Sequence, residues 1–373
     1  MIRALVVDDS GFMRMALRRI IEADGDLRVV GEASDGDRAV ELAARLHPDI
    51  VTMDLEMPGL DGIAATRRLA GLPDPPAVVV VSHHTRDGSE GAVAALAAGA
   101  ADVLWKGSAI GALDLAGIDR ALRGRLRHWA GQRQHRPRPI PGTVLEAVPG
   151  AAPGWGRPPP RLAPDAPIAP GCDVVVLAAS TGGPDALAAL LEAAGPLPVP
   201  VVVAQHMPAD LGPDFVRHLA RRGGVPAVLA THGAVPRPGE ATVIPGGTDG
   251  HLARGGADAP PGALVLRLAQ GPGVVHPSAD MLFRSAALVA RRAIGAVLTG
   301  MGRDGAEGAA AMRERGMAVL AQSPESCVVA GMPGAVIEAG PVAGLGDPAA
   351  LGIRLRALAV PLAPATPWGR GPA

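Results

Sequence analysis

Aromatic residues are scarce in this 373-residue chain, making up 2% of it, and tyrosine is absent. Its cores must therefore be filled by Val, Leu, Ala and Ile rather than by rings. Cysteine is almost missing as well. Cys172 and Cys327 are the only two, and they lack metal-ligand spacing. That excludes a disulfide framework or a thiolate metal site and leaves both as small apolar residues. No stretch approaches the roughly 20 apolar residues of a membrane span. The apolar run in MIRALVVDDS is too short for a secretion signal and is broken at once by Asp8 and Asp9. A formal net charge of −1 offers no basic field for nucleic acid or an anionic membrane surface. Lysine is reduced to one residue, Lys106. These absences together predict a cytoplasmic protein with no nucleic-acid partner and no direct membrane insertion.

What remains is a globular composition, 48% hydrophobic and 19% charged, in a chain long enough for two domains of roughly 100 to 200 residues. From Met1 to about residue 130, short apolar strands (Ile2 to Val7, Val29 to Glu32, Ile50 to Met53, Val78 to Val81, Asp102 to Leu104) alternate with helix-length segments such as Phe12 to Ile21. This pattern predicts a doubly wound, five-stranded parallel sheet covered on both faces. Eleven prolines between Pro137 and Pro170 then forbid a long helix or a central strand. Periodicity resumes with strands at Val174 to Ala178, Val201 to Ala204, Ala241 to Ile244, Ala263 to Leu268, Ala296 to Leu298 and Ala318 to Ala321, and a helix over Asp185 to Ala194. The expected organisation is an α/β domain over 1–125, a Pro/Gly-rich linker over 126–171, a second doubly wound, Rossmann-like α/β domain over 172–360 and a tail over 361–373.

In the first domain Asp8 and Asp9 follow the first strand, Asp54 the third, Ser82 the fourth and Lys106 the fifth. The carboxyl ends of parallel strands share one edge, so these distant residues should converge at the switch point of the sheet. Carboxylates so gathered repel one another unless they share a hard cation such as Mg²⁺. With the cation, one of them can accept a phosphoryl group while an ammonium and a hydroxyl bind its oxygens. Taken separately, Asp8 and Asp9 could simply cap a helix and Asp54 could serve a turn. The full combination points instead to phosphoryl transfer.

The strings LVVDDS, VTMDLEMPGLDGI and VLWKG resemble those of the receiver domains of response regulators, a flavodoxin-like fold. The resemblance implies that Asp54 is phosphorylated, that Asp9, Asp54 and the Glu56 carbonyl, with Asp8 beside them, hold Mg²⁺, and that Ser82 and Lys106 sense the phosphoryl group. It also implies a histidine kinase as phosphodonor. Two positions depart from the pattern. Gly107 follows Lys106 where proline is usual, and Val103 stands where receivers carry a switch aromatic.

In the second domain, VVVLAASTGGPDAL runs from a strand through a tight turn into a helix, with Ser180 at the turn. Gly182 and Gly183 permit that turn, and the helix start aims backbone N–H groups towards Ser180. Such a loop could also cradle a phosphate or be a plain strand-to-helix turn. His206 follows the next strand, and Asp304 lies in the glycine-rich LTGMGRDGAEG. A nucleophile, a base and an orienting acid on three strand-end loops have the composition of a serine-hydrolase triad. The order Ser, His, Asp and the missing G-x-S-x-G elbow distinguish it from the α/β-hydrolases.

ASTGGP, QHMP, HPSADMLFRSAA, LTGMGRDGAEG and CVVAGMP, in this order, resemble the catalytic domain of chemotaxis protein-glutamate methylesterases, the CheB family. The implied site is Ser180, His206 and Asp304, with Thr181 beside the nucleophile and the Met301 backbone at the oxyanion. The implied reaction is hydrolysis of glutamate methyl esters, and deamidation of glutamines, on chemoreceptor cytoplasmic helices, with no cofactor for the esterase chemistry. PGGTDGHL carries extra residues relative to that family, and Ala330 replaces an aromatic. A receiver-controlled hydrolase of another ester or amide remains an alternative. So does a phosphosignalling adaptor, although an adaptor needs no nucleophile. A DNA-binding output is excluded by the missing basic recognition helix.

Overall fold

The computed structural model describes residues 1–82, 86–106, 115–134, 169–256, 259–260, 262–271 and 275–362. Most of the expected linker, residues 135–168, and most of the expected tail lie outside these, as does Gly107.

The first domain runs β1 (Ile2–Val7), α1 (Gly11–Glu22), β2 (Leu27–Ala33), α2 (Gly36–Leu46), β3 (Ile50–Met53), α3 (Gly62–Ala70), β4 (Ala77–Ser82), α4 (Arg86–Ala98), β5 (Asp102–Trp105) and α5 (Leu115–Gln134). Its strands pair in parallel in the order β2-β1-β3-β4-β5. The strands are nearly continuous apolar runs because helices cover both faces, and β3 and β4 are buried along their whole lengths. Helix α5 continues to Gln134, nine residues past the expected boundary at 125. Buried Leu122, Leu126 and Trp129, at helical spacing, hold it on the sheet. Asp102 accepts from Trp129 Nε1 at 3.1 Å and from Arg125 at 2.6 Å, and prolines begin only at Pro137.

The second domain contains β6 (Val174–Ala179), α6 (Gly183–Ala194), β7 (Val201–Gln205), α7 (Gly212–Gly223), β8 (Ala227–Leu229), β9 (Ala241–Val243), β10 (Asp249–Arg254), β11 (Leu264–Ala269), α8 (Ala279–Val289), β12 (Ala293–Val297), α9 (Ala306–Glu314), β13 (Ala318–Gln322), α10 (Gly331–Glu338), β14 (Gly344–Gly346) and α11 (Pro348–Leu358). Seven strands form a parallel sheet in the order β14-β13-β12-β6-β7-β9-β8, while β10 and β11 make a separate antiparallel hairpin. The pattern did not predict β8, β10 or β14. β8 and β14 are only three residues long, and β10 (DGHLAR) lacks an apolar run.

The two domains share one apolar cluster. Val93 and Leu96 of α4 and Val103 of β5 belong with Leu187 and Leu190 of α6 and Phe215 of α7. Cys172 is buried in the same cluster, and burial pushes its thiol up to about 12, as an inert apolar residue requires.

Candidate functional site

β6 lies between β7 and β12, and Ser180, His206 and Asp304 follow these three strands on one edge of the sheet. Here the chain leaves β6 for one neighbour and returns beside the other, the switch point of an open α/β sheet. Ser180 lies at the end of β6, and its N–H donates to Thr299 O at 3.0 Å. Gly182 adopts a left-handed φ of 77° to start α6, where a side chain would also collide with Val328. Gly183 lies against the Gln205 amide, and a Cβ there would occupy the position of Gln205 Oε1.

His206 Nε2 lies 2.8 Å from Asp304 Oδ2. The other ring nitrogen, Nδ1, is buried and unpartnered, and so is Ser180 Oγ. Asp304 also accepts from Ala279 N–H at 2.7 Å, Asp280 N–H at 2.9 Å, Gly305 N–H at 3.0 Å and Ser278 Oγ at 3.3 Å. Its carboxylate thus sits at the N-terminus of α8, where free N–H groups and the helix dipole favour an anion. Burial by itself would raise its pKa, but the His206 contact and the backbone donors outweigh burial and hold it near 2. With Nε2 held against Asp304, Nδ1 is the ring nitrogen left open to a further partner. Neighbouring Asp280 is shifted the other way, to about 6, by burial and by the charge of Asp304, against the opposing Gly308 N–H bond.

Three buried polar side chains that the sequence reading missed fasten these loops. Gln205 Nε2 donates to Ser180 O at 3.0 Å and to His206 O at 2.9 Å, bridging the Ser180 and His206 loops. Thr299 Oγ1 lies 2.9 Å from Thr181 O and accepts from Val329 N–H at 3.0 Å. Gln322 Oε1 accepts from Thr299 N–H at 2.8 Å. All three lie at or just beyond a strand end, the one signal that could have found them. The PGGTDGHL segment contains buried Asp249, which accepts from His276 Nδ1 at 2.9 Å and Ser278 N–H at 2.7 Å and so braces the loop leading into α8. Thr181 is fully buried with its hydroxyl unpartnered. Met301 packs against the first domain's core. Ala330 immediately precedes α10.

In the first domain the ligand oxygens of Asp8, Asp9 and Asp54 lie within 4.8 Å of one another. Lys106 Nζ is 2.7 Å from Asp8 Oδ2 and 2.9 Å from Asp54 Oδ2. Burial raises the pKa of Asp54, helped by the Asp8 charge and opposed by Lys106. Ser82 is buried at the end of β4, and its carbonyl accepts from Lys106 N–H at 2.8 Å. Glu56 lies in the loop after Asp54 with its side chain exposed, which suits a backbone role. Val103 is fully buried, and Trp105, two residues on and so on the same face of β5, supplies the strand's aromatic ring.

The first domain abuts the turn that carries Ser180. Leu96 O, near the end of α4, accepts from Gly182 N–H at 2.8 Å, two residues beyond Ser180. Trp105, Arg125 and Trp129 line an interdomain cleft of about 380 Å³ whose opposite wall includes His206 and His276. Burial lowers the pKa of His128 on α5, and its nearness to His206 adds to the shift.

Comparison with known proteins gives the same division. Residues 175–355 match the CheB methylesterase family and residues 4–116 the response regulator receiver domain. A Nocardioides protein named protein-glutamate methylesterase/protein-glutamine glutaminase is 39% identical over 344 residues, covering 91% of this chain and 90% of that protein. A Myxococcus xanthus protein with the same name, numbered 5, is 41% identical over 345 residues, covering 91% and 92%. Among solved structures, the Thermotoga maritima CheB methylesterase catalytic domain is 30% identical over 50% of this chain and 98% of that one, with a TM-score of 0.46. The response regulator domain of T. maritima CheB is 41% identical over 35% and 97%, with a TM-score of 0.33. With both family domains matched and relatives at this identity over most of its length, the chain belongs to the CheB family of receiver-linked protein-glutamate methylesterases.

Proposed function

We propose that the chain is a phosphorylation-controlled serine hydrolase that demethylates glutamate methyl esters, and deamidates glutamines, on the cytoplasmic helices of chemoreceptors. The observation that carries this reading is that Ser180 and His206 follow adjacent strands with Ser180 Oγ and His206 Nδ1 both buried and unpartnered, while the opposite ring nitrogen lies 2.8 Å from Asp304. Ser180 Oγ attacks the ester carbonyl carbon as its proton passes to His206 Nδ1. Backbone N–H groups at Thr181 and Met301 take the negative charge of the tetrahedral intermediate. The C–O bond to the methoxy group breaks, and His206 returns the proton so that methanol leaves. Water, deprotonated by His206, then releases the glutamate carboxylate from the acyl-enzyme. With a glutamine the leaving group is ammonia.

Control rests on the first domain. The three clustered carboxylates suit a divalent cation, so Asp8, Asp9, Asp54 and the Glu56 carbonyl would hold Mg²⁺. That ion would neutralise charge on the incoming phosphoryl group. Asp54 is the acceptor for a histidine-kinase phosphodonor, and Lys106 and Ser82 bind the phosphoryl oxygens. Phosphorylation loosens the α4 and α5 face from the mouth of the triad and frees Gly182 N–H from Leu96 O. Among the described residues no helix is long and apolar enough to cross a membrane, and a cytoplasmic setting is part of this proposal.

The test is methanol release from methylated receptor membranes, with and without a small-molecule phosphodonor. Ser180→Ala should abolish release while leaving the melting transition intact. Asp54→Asn should keep the unstimulated rate and lose the stimulation. Residual turnover above a few per cent in Ser180→Ala would remove the nucleophile assignment.

A further inference from the structure

The antiparallel hairpin β10–β11 stands apart from the seven-stranded sheet, and none of its residues belongs to the triad. It is fastened to α8. Leu252 of β10 and Leu266 of β11 pack with Leu282 and Phe283 of α8, and Leu252 N–H donates to Ser285 Oγ at 2.9 Å. Asp249, the first residue of β10, is buried. A single oxygen of its carboxylate, Oδ1, accepts from both His276 Nδ1 at 2.9 Å and Ser278 N–H at 2.7 Å. The other oxygen lies against Gly271, just beyond β11. A Cβ at Gly271 would stand 1.7 Å from Oδ2 and 2.9 Å from His276 Cε1, so glycine there leaves room for the carboxylate.

The segment that this carboxylate grips touches two of the three triad positions. His276 O accepts from Met207 N–H at 3.2 Å, one residue beyond His206. Ser278 Oγ, Ala279 N–H and Asp280 N–H donate to Asp304 at 3.3, 2.7 and 2.9 Å. Residues 276–280 therefore bridge the His206 loop and the Asp304 carboxylate, and Asp249 holds that bridge at both 276 and 278. Resting on the reading that His206 is the base and Asp304 its orienting acid, we propose that Asp249 is a positioning residue for the reaction. It touches no reacting atom. Through His276 and Ser278 it ties the bridge to the hairpin, and so keeps His206 Nε2 at 2.8 Å from Asp304 Oδ2 and the ring in register with Ser180. Without the carboxylate the bridge loses that tie, and its motion passes to the two groups it bonds. A misplacement of about 1 Å in such a constellation can cost about 100-fold in rate.

The test uses the full-length protein, with p-nitrophenyl acetate and methylated receptor membranes as substrates. Asp249→Ala removes the acceptor, and kcat on both substrates should fall about 10- to 100-fold at temperatures well below the melt, with KM within about twofold. Asp249→Asn keeps an oxygen able to accept both bonds and should stay within roughly fivefold of the parent. Gly271→Ala drives a methyl group into Oδ2 while removing no hydrogen-bonding group. It should lower kcat about tenfold or more in the parent but cost little further in Asp249→Ala, where the carboxylate it displaces has gone. A purely structural brace lowers the melting temperature in these variants and leaves kcat within twofold, and that result would overturn the proposal. Additive losses from Gly271→Ala and Asp249→Ala would also overturn it, as would a loss in Asp249→Asn as large as in Asp249→Ala. Should Asp249→Ala not fold, Gly271→Ala decides alone, and a kcat within twofold of the parent sinks the idea. If Ser180→Ala hydrolyses p-nitrophenyl acetate as fast as the parent, the triad reading itself has failed, a result distinct from these.

Discussion

The Gln205 bridge gives the sharpest test of how this sheet edge builds its site. Gln205→Leu keeps the approximate volume and removes the donor that joins Ser180 O to His206 O. Ser180 O retains its bond from Gly183 N–H at 2.8 Å, so only a second bond is lost there, worth about 0.5–1.5 kcal/mol. Among the described residues no other donor is found for His206 O, and leaving that buried acceptor unpaired costs about 1–3 kcal/mol. Gln205 Oε1 is itself buried and unpartnered, so its removal relieves part of the loss, and a net cost of about 2 kcal/mol follows. For a domain of this size that lowers Tm by roughly 4–8 °C. The catalytic effect should be larger than the stability effect, because a displacement of about 1 Å between nucleophile and base can cost about 100-fold in rate. We therefore expect kcat for methanol release to fall 10- to 100-fold at temperatures well below the melt, with KM within twofold. A variant that melts lower yet keeps kcat within twofold would refute the positioning role and leave Gln205 as a purely structural residue.

Two further outcomes follow from the acid pair beside His206. Asp304→Asn puts an amide where a carboxylate now faces His206 and three backbone N–H groups, so it favours the wrong tautomer and removes the charge that stabilises the imidazolium; kcat should fall by about 10³–10⁴-fold, and a loss below tenfold would sink the triad assignment. Burial and the Asp304 charge raise the Asp280 carboxyl from its ordinary value near 4 to about 6. A raised carboxyl contributes stability that is fully present below about pH 4 and is lost as pH rises through 6. Asp304, depressed to about 2, has the opposite sign, and its contribution is lost as pH falls from about 4 to 2. Asp280→Asn can keep the Gly308 N–H bond, so it should stabilise the protein by on the order of 1–2 kcal/mol at pH 8 but not at pH 4. Thermal melts at the two pH values check this, and an equal shift at both would contradict it.

Much of this architecture was legible because parallel strands buried on both faces are spelled as apolar runs. Ile2–Val7 and Ile50–Met53 have the expected bounds to the residue, and Val174–Ala179 and Val201–Gln205 differ by one. The same rule placed Asp8, Asp54, Ser180 and His206, since chemistry collects at the carboxyl ends of such strands. What the pattern could not reveal was side-chain hydrogen bonding between loops. Gln205, Thr299 and Gln322 look like ordinary polar residues after a strand, and only folding shows that each satisfies a neighbouring loop's backbone. The extent of α5 was missed for a related reason. Its anchors Leu126 and Trp129 lie past the expected boundary at 125, in an Arg-rich segment, yet Arg125 and Arg127 are held by Asp102, Asp24 and Asp26.

The departure at Val103 acquires a physical meaning in the interdomain contact. A switch aromatic needs space to change its exposure, but Val103 is fully buried in an apolar cluster that already spans both domains. The ring on this strand is displaced to Trp105, which lines the cleft facing His206, and its backbone is followed directly by Lys106, whose ammonium joins Asp8 and Asp54. On the proposed phosphorylation of Asp54, a shift of the Lys106 ammonium towards the phosphoryl group would act on the residue beside Trp105 without an intervening rotamer switch. Trp105→Ala should uncouple the two halves, with phosphodonor stimulation falling towards unity while Asp54 still takes up phosphate. Stimulation of the parental size in that variant would place the relay elsewhere, in α4 alone.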